Sequence, residues 1–398
     1  MKKALFILYG DPMLYPPTMN AAGVLADNGW SVDIVGIRIP TGDHIECPSN
    51  VTVQYFDSLR KGLSLRVQFL LYVIWTALIS RRNTYSFILA YDFMAVIPAF
   101  VAARMSRCIW GYHNHDLMAS ADCKGFYAIL KYAELRLARK ACVLSFPQFQ
   151  RSQIFKTEAN LTCDPHIVFN APRLGWPNIT IIDERIIKFK QRVDKIILHQ
   201  GNLTSRRGLD ILIDTLPYLE NNVGLCLVGK EQDSGFKDQA LSRAVELGVS
   251  ARLLILDVVS YNELPSITNA CDIGLAVPIA PDDASCLNIQ YLAGASNKIF
   301  EYMACGLPIV APNAPAYRDL IQPPKHGVLY ERAEPICLAE SLKILLDDFS
   351  LREEISHNNI CAFNQQFNYD HQFKVIIDSI KKCIPILKTG NSNYDYIS

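Results

Sequence analysis

The amino-acid sequence predicts an α/β protein built from two doubly wound domains, each a parallel sheet covered by helices on both faces. Three observations predict it. Short runs of β-branched and aromatic residues alternate with helical segments through the first 170 residues, the pattern of a parallel sheet. The alternation breaks at Asn170-Ala171-Pro172 through Trp176-Pro177, where two prolines and a glycine fall together, and then restarts. A chain of 398 residues also exceeds one ordinary core, since domains mostly hold about 100–200 residues.

The elements follow in order. The unbroken apolar run from Ala4 opens a strand over 4–10, as a strand buried on both faces should. A helix over 17–28 stops at Gly29, and strands follow at 31–37 and 51–56. Next come a helix at 63–79, a strand at 87–91, a helix at 94–104 and a strand at 108–112. A helix around 127–140 and strands at 142–145 and 166–169 complete a first domain, 1–170. A hinge is expected at 171–180. The second domain, 181–365, begins with a strand at 196–200, a helix at 208–219 and a strand at 224–228. It continues with a helix at 236–247, a strand at 253–256, a helix at 261–270 and a strand at 273–277. A loop over 278–295 leads to a helix that starts at Ser296 or Asn297 and stops at Gly306. The strand Pro308-Ile309-Val310, a strand at 328–330 and a helix at 335–346 follow, then helical pieces at 351–365 and 370–383. The polar tail, 387–398, is expected to be disordered.

Composition narrows the function. Lysine and arginine number 39, as do aspartate and glutamate, which gives no support for nucleic-acid binding. The twelve cysteines include no Cys-x-x-Cys pair. No secretory leader is read ahead of the first strand, so reduced thiols in a cytoplasmic protein are expected rather than disulfides or zinc. The apolar run 63–79 contains Ser64, Arg66 and Gln68 and is short for a membrane span. With Arg60, Lys61, Arg66, Arg81 and Arg82 around it, it reads either as a helix lying on an anionic membrane surface or as a core helix with basic ends.

Doubly wound sheets bind ligands in the loops after their strands. In the first half these loops are Gly10-Asp11-Pro12, Tyr91-Asp92 and His113-Asn114-His115-Asp116. In the second half, Gln200-Gly201-Asn202-Leu203-Thr204-Ser205-Arg206-Arg207-Gly208 joins the first strand to the first helix. Gly201 would allow close backbone approach, and two arginines could neutralise a diphosphate. The helix from Ser296 offers its N-terminus to phosphate and one carboxylate, Glu301, to a sugar hydroxyl. The competing readings are an exposed basic turn and a surface helix with a solvated Glu301.

Together these two segments resemble the GT-B glycosyltransferases, specifically the retaining family 4 (glycosyl transferases group 1). There the first segment reads Gly-Arg-Leu and, a few residues on, Lys-Gly. The second resembles Asn-Lys-x-x-Glu-Tyr-Met-Ala-x-Gly-x-Pro-Val-Val. The resemblance is strong over about 195–345 and weaker before it. It implies that Glu301 holds the ribose of a nucleotide sugar and that Ser296, Asn297 and Lys298 face its phosphates. Arg207 matches the phosphate-binding lysine, and Gly201 lies in the same loop. Three departures stand out. Asn202 replaces the usual arginine, leaving Arg206 to take its role. Ala293 stands where the first glutamate of the Glu-x7-Glu signature would fall, with Asp282 or Asp283 as substitute carboxylates toward the transferred sugar. Lys230 follows Gly229 where a second glycine is common. Base contacts are implied near Asp257 and Tyr261.

In the first domain, the acceptor side, the resemblance sets His115-Asp116 in a loop whose histidine faces the transferred sugar. There a histidine could donate a hydrogen bond or accept a proton, with His113 as the competing choice. Asp11 and Asp92 are candidate acceptor contacts, and Tyr15, Pro16 and Pro17 would shape that side. A cleft between the carboxyl ends of the two sheets is expected, with a last helix over 366–386 crossing back to the first domain.

The chain contains no Asp-x-Asp. Cationic side chains and helix-end amides are therefore expected to stabilise the leaving diphosphate without metal or other cofactor. The function expected is transfer of a sugar from a nucleotide-sugar donor to a saccharide or lipid-linked saccharide acceptor in cell-surface polysaccharide synthesis. It would occur in the cytoplasm or at the inner face of the membrane. The alternatives are a nucleotide-sugar epimerase on the same fold and a catalytically silent nucleotide-binding relative.

Overall fold

The computed structural model describes residues 2–39, 47–57, 63–177, 182–205, 208–276 and 290–388. The chain forms two compact units. Asn170 closes the first, Asn368 closes the second, and from Tyr369 the chain belongs to the first unit again.

The first unit runs β1 (Lys2–Leu8), α1 (Pro16–Asp27), β2 (Trp30–Ile37), β3 (Val51–Phe56), α2 (Leu65–Arg82), β4 (Phe87–Tyr91), α3 (Phe93–Ser106) and β5 (Ile109–His113). It continues with α4 (Phe126–Ala138), β6 (Val143–Phe146), α5 (Phe149–Ala159) and β7 (His166–Ile167). Its seven strands are ordered β3-β2-β1-β4-β5-β6-β7, and every pairing is parallel. Alternation along β1 makes both faces apolar: Ala4, Phe6 and Leu8 enter one core, Leu5 and Ile7 the other.

The second unit runs α6 (Glu184–Phe189), β8 (Lys195–Gln200), α7 (Leu209–Thr215), β9 (Val223–Val228), α8 (Phe236–Glu246), β10 (Leu253–Leu256), α9 (Leu264–Thr268) and β11 (Ile273–Leu275). Then follow α10 (Asn297–Ala304), β12 (Ile309–Pro312), α11 (Pro315–Arg318), β13 (Gly327–Tyr330), α12 (Pro335–Asp347) and α13 (Phe349–Gln365). Its six parallel strands are ordered β10-β9-β8-β11-β12-β13. The helix expected to reach 219 ends as α-helix at Thr215 and tightens into a 3-10 turn, Leu216–Tyr218, because Pro217 has no amide to donate.

Helices α14 (Tyr369–Gln372) and α15 (Lys374–Lys388) return to the first unit. Ile376, Ile377, Ile380 and Cys383 repeat at helical spacing. With Tyr369 and Phe373 they fill the core between α1 and the sheet.

The 63–79 stretch packs into the core along one face of α2 and leaves an apolar stripe exposed along the other. Phe69, Tyr72 and Ile79 are buried, while Val67, Leu70, Leu71, Ile74 and Leu78 form an exposed stripe. Leu70 is 58% exposed and Ile74 47%, so this face has no partner of its own among the described residues.

Candidate active site

The second unit builds its site where β8 and β11 end beneath α10. Tyr302 fixes the geometry. Its ring lies against Gly274, where a Cβ would come within 2.5 Å of the ring. Its hydroxyl accepts the Gln200 amide at 3.2 Å and stands 3.3 Å and 3.4 Å from the carbonyls of Leu198 and Leu275. This sets the neighbouring Glu301 beside Gln200, whose Nε2 donates to Glu301 Oε2 at 2.5 Å. The Thr268 hydroxyl lies 2.9 Å from Gln200 Oε1 and so orients the amide.

Glu301 is 4% exposed, which overturns the reading of a solvated surface residue. Burial pushes its carboxyl up to about 7, against the opposing Gln200 bond and Lys298 charge. Lys298 is itself buried, and its Nζ lies 3.1 Å from the place a Gly201 Cβ would occupy. Ser296 is the N-cap of α10, and its side chain makes no capping bond, so it leaves the helix dipole's positive end uncovered by its own hydroxyl.

Past its other end, α10 closes in a Schellman turn. Gly306 has φ +71°, its amide reaches Met303 O at 3.1 Å, and the Leu307 amide reaches Tyr302 O at 2.9 Å. A Cβ on Gly306 would also stand 2.6 Å from Ser356 Oγ. Gly306→Ala is expected to cost about 1–3 kcal/mol. Chemical denaturation checks this, and an unchanged midpoint would argue that α13 yields freely.

The loop after β8 is held by groups the sequence reading passed over. The Gly201 amide donates to Val228 O at 2.8 Å, and Leu203 pairs with the 230–232 segment through its amide and carbonyl. Asp233 Oδ2 accepts the Ser205 amide at 3.0 Å, the Ser205 hydroxyl at 3.2 Å and the Thr204 hydroxyl. Asn202 is half-buried in this loop and Lys230 is exposed. Ala293 lies fully buried in a 3-10 turn, Ala293–Ala295, so the expected glutamate position presents only a methyl group. Tyr261 stacks on Trp176 with ring centroids 5.9 Å apart. Burial, and then Glu301, raise its hydroxyl pKa well above the usual range. Arg206, Arg207, Asp282 and Asp283 lie outside the described residues.

In the first unit, His115 is 4% exposed, between Tyr91 and Tyr15 at centroid distances of 5.1 Å and 5.8 Å. Its Nε2 is 3.3 Å from Thr18 Oγ1, and Asn170 is its other side-chain partner. Burial lowers its pKa to about 4, against the opposing Asp116 charge, so the ring is neutral at pH 7. His113 is buried and turns to Ser145 Oγ at 2.7 Å.

The backbone around His115 is tied through all three amides of 114–116 and through the carbonyls of His115 and Asp116. The Asn114 amide donates to Ser145 O at 3.0 Å. Asp92 Oδ1 accepts the amides of His115 at 2.7 Å and Asp116 at 3.2 Å. Arg151 Nη1 donates to His115 O at 2.8 Å, and Asn114 Nδ2 to Asp116 O at 3.2 Å. Asp92 takes this role from a strained backbone, φ 62° and ψ 165°. Desolvation, then the Asp116 charge, raise its carboxyl to about 7. Asp116 is exposed, with Arg151 3.5 Å away.

The structure thus brings His115, Asp116 and Asp92 together and leaves Asp11 out. Asp11 is fully buried, and its two oxygens accept the Met13 amide, the Tyr55 hydroxyl and the Ile39 amide at 3.0–3.2 Å. That geometry makes it a loop-holding group and not a carboxylate offered to an acceptor.

These two parallel α/β units are of the GT-B glycosyltransferase fold. Anabaena Alr3699/HepE, solved in complex with UDP and glucose, superposes with a TM-score of 0.73 at 19% identity, over 96% of this chain and 100% of that one. Residues 194–348, which lie within the second unit, match the family model "Glycosyl transferases group 1". An uncharacterized glycosyltransferase, MJ1607 of Methanocaldococcus jannaschii, is 22% identical over 222 residues, 54% of this chain and 53% of that protein. D-inositol 3-phosphate glycosyltransferase of Xylanimonas cellulosilytica is 26% identical over 184 residues, 46% of this chain and 41% of that protein. The chain therefore spans about half the length, or less, of these curated relatives.

Proposed function

We propose that this protein transfers a sugar from a nucleoside diphosphate sugar to an acceptor hydroxyl, with retention of configuration, in the building of a polysaccharide or glycoconjugate. The observation that carries the reading is Glu301, a buried carboxylate aimed by Gln200, with Lys298 beside it against Gly201. A carboxylate so placed takes ribose hydroxyls, while Lys298 and the start of α10 take the diphosphate. The same cationic groups stabilise the leaving diphosphate, so no divalent metal is required in this reading. UDP and glucose in HepE make a uridine diphosphate sugar the first donor to test. On the acceptor side, neutral His115 offers a hydrogen bond without introducing charge, and Asp116 and Asp92 offer carboxylates.

A thermal-shift screen of UDP-, GDP-, ADP- and dTDP-sugars with excess chelator tests the donor half. The bound nucleotide sugar is expected to add about 2.7 kcal/mol at a hundred times its dissociation constant. No shift with any of them would sink the proposal, and a shift that needs magnesium would remove its metal-independent part.

The acceptor class proposed is a lipid-linked saccharide, reached at an anionic membrane surface on the cytoplasmic side. The exposed stripe of α2 supports this, together with exposed Ile129 and Tyr132 on α4 and exposed Arg66, Arg81, Arg82, Arg136, Arg139 and Lys140. Phe126 links the two helices by packing on Phe69 and under Arg66. No described helix is long and apolar enough to cross a membrane. The protein is expected to float with phosphatidylglycerol vesicles, and Leu70→Glu/Ile74→Glu to stay behind. Equal flotation of the two proteins would remove α2 from this role.

A further inference from the structure

Helix α4 carries a buried ion pair that touches neither His115 nor Asp116. Lys131 Nζ lies 2.9 Å from Glu134 Oε2 and 3.3 Å from Glu158 Oε2, with Lys131 2% and Glu134 1% exposed. Glu134 Oε1 accepts a hydrogen bond from the Tyr112 hydroxyl. The Tyr112 oxygen accepts from Asn114 Nδ2 at 2.8 Å, and the same nitrogen donates to Asp116 O at 3.2 Å. A nearly dry chain of side chains thus runs from α5 through α4 to the loop that carries His115 and Asp116.

Stability alone does not account for it. Replacing a buried ion pair by apolar side chains of similar volume is often neutral or stabilising, so leucine and methionine would hold α4 on the sheet as well. The hydrogen-bond directions give the network a different purpose. The Glu134 carboxylate accepts the Tyr112 O–H, which leaves the Tyr112 oxygen to accept from Asn114. The Asn114 amide is thereby turned with its NH2 group toward Asp116 O. Without an acceptor at 134, the Tyr112 proton competes for Asn114 Oδ1 and the amide has reason to flip.

We infer that Glu134 is a positioning residue for the His115-Asp116 loop, acting through Tyr112 and Asn114. The inference rests on the proposed acceptor-side role of that loop, but its primary readout needs no turnover. The test compares wild type with Lys131→Met/Glu134→Leu, which keeps the Tyr112 hydroxyl and removes its acceptor, and with Lys131→Met/Glu134→Gln, which removes both charges yet keeps an acceptor for Tyr112. Hydrogen exchange of the His115 and Asp116 amides is expected to quicken at least tenfold in the leucine variant, with exchange over the rest of the first unit unchanged. The glutamine variant should exchange as wild type does. Unchanged exchange in the leucine variant overturns the inference, and so does faster exchange spread over the whole first unit with a lowered melting temperature. If wild type turns over UDP-glucose, kcat should fall in the leucine variant while KM for UDP-glucose holds. A wild type inert toward UDP-glucose counts against the functional reading, and the exchange result still decides the inference.

Discussion

Glu301→Ala is expected to weaken sugar-donor binding by about 1–3 kcal/mol, roughly 5- to 150-fold, because a charged hydrogen-bond acceptor for ribose is lost. Calorimetric titration with the donor found in the screen measures it, and an unchanged affinity in folded protein would remove Glu301 from the site. The pH dependence sharpens the expectation. Burial raises the Glu301 carboxyl from the ordinary 4.5 to about 7, so the folded chain binds this proton more tightly than the unfolded one. The stability it contributes is complete below about pH 4.5 and is lost as pH rises through 7. Asp92, raised to about 7 by the same cause, adds to the loss over the same range. The ligand-free protein should therefore melt lower at pH 8 than at pH 6. On the proposed reading ribose hydroxyls donate to the ionised carboxylate, so donor affinity should rise across that window. Glu301→Gln should flatten the affinity profile, and a titration in the mutant as steep as wild type would place the proton elsewhere.

Gly229→Ala is expected to cost about 3–5 kcal/mol, the range of a backbone clash with no side chain free to yield. Gly229 sits at φ +151°, and a Cβ there would lie 1.7 Å from Gly201 O. The loop after β8 and the start of β9's loop are pressed together at this point, so relief of the clash must shift the Gly201 backbone or Gly229 itself. At about 2–4 °C per kcal/mol for a unit of this size, melting should fall by about 6–20 °C. Donor binding should fall with it. A shift under 2 °C would show that the loops separate at little cost.

Both sheets were legible because each strand is short, apolar and β-branched, and because parallel strands need helical crossovers between them. Glu301 was legible because one acidic residue inside an apolar helix start is chemically conspicuous. Its environment was not: Gln200, Thr268 and Tyr302 reach it through contacts between residues up to about 100 positions apart, and no local pattern encodes such a meeting. Asp233 escaped for the same reason, since its acceptors serve a loop 28 residues earlier. Asp11 shows the opposite failure. A carboxylate at a strand end looks available in sequence, yet three donors from its own unit converge on it. Lys131 and Glu134 carry no local signal that sets them apart, because their burial depends on the packing of α4 against α5 and β5.

The return of α14 and α15 to the first unit bears on how the protein is made. Tyr369, Phe373, Ile376, Ile377 and Ile380 are part of the first unit's core, yet they are synthesised only after the whole second unit. During synthesis the second unit has all of its residues, 171–368, before the first has its own. The first unit must wait with one face of its sheet incompletely covered while roughly 200 further residues are added, at about 5–20 residues per second a delay of about 10–40 seconds. A nascent chain halted shortly after residue 368 would hold a finished second unit and an unfinished first one.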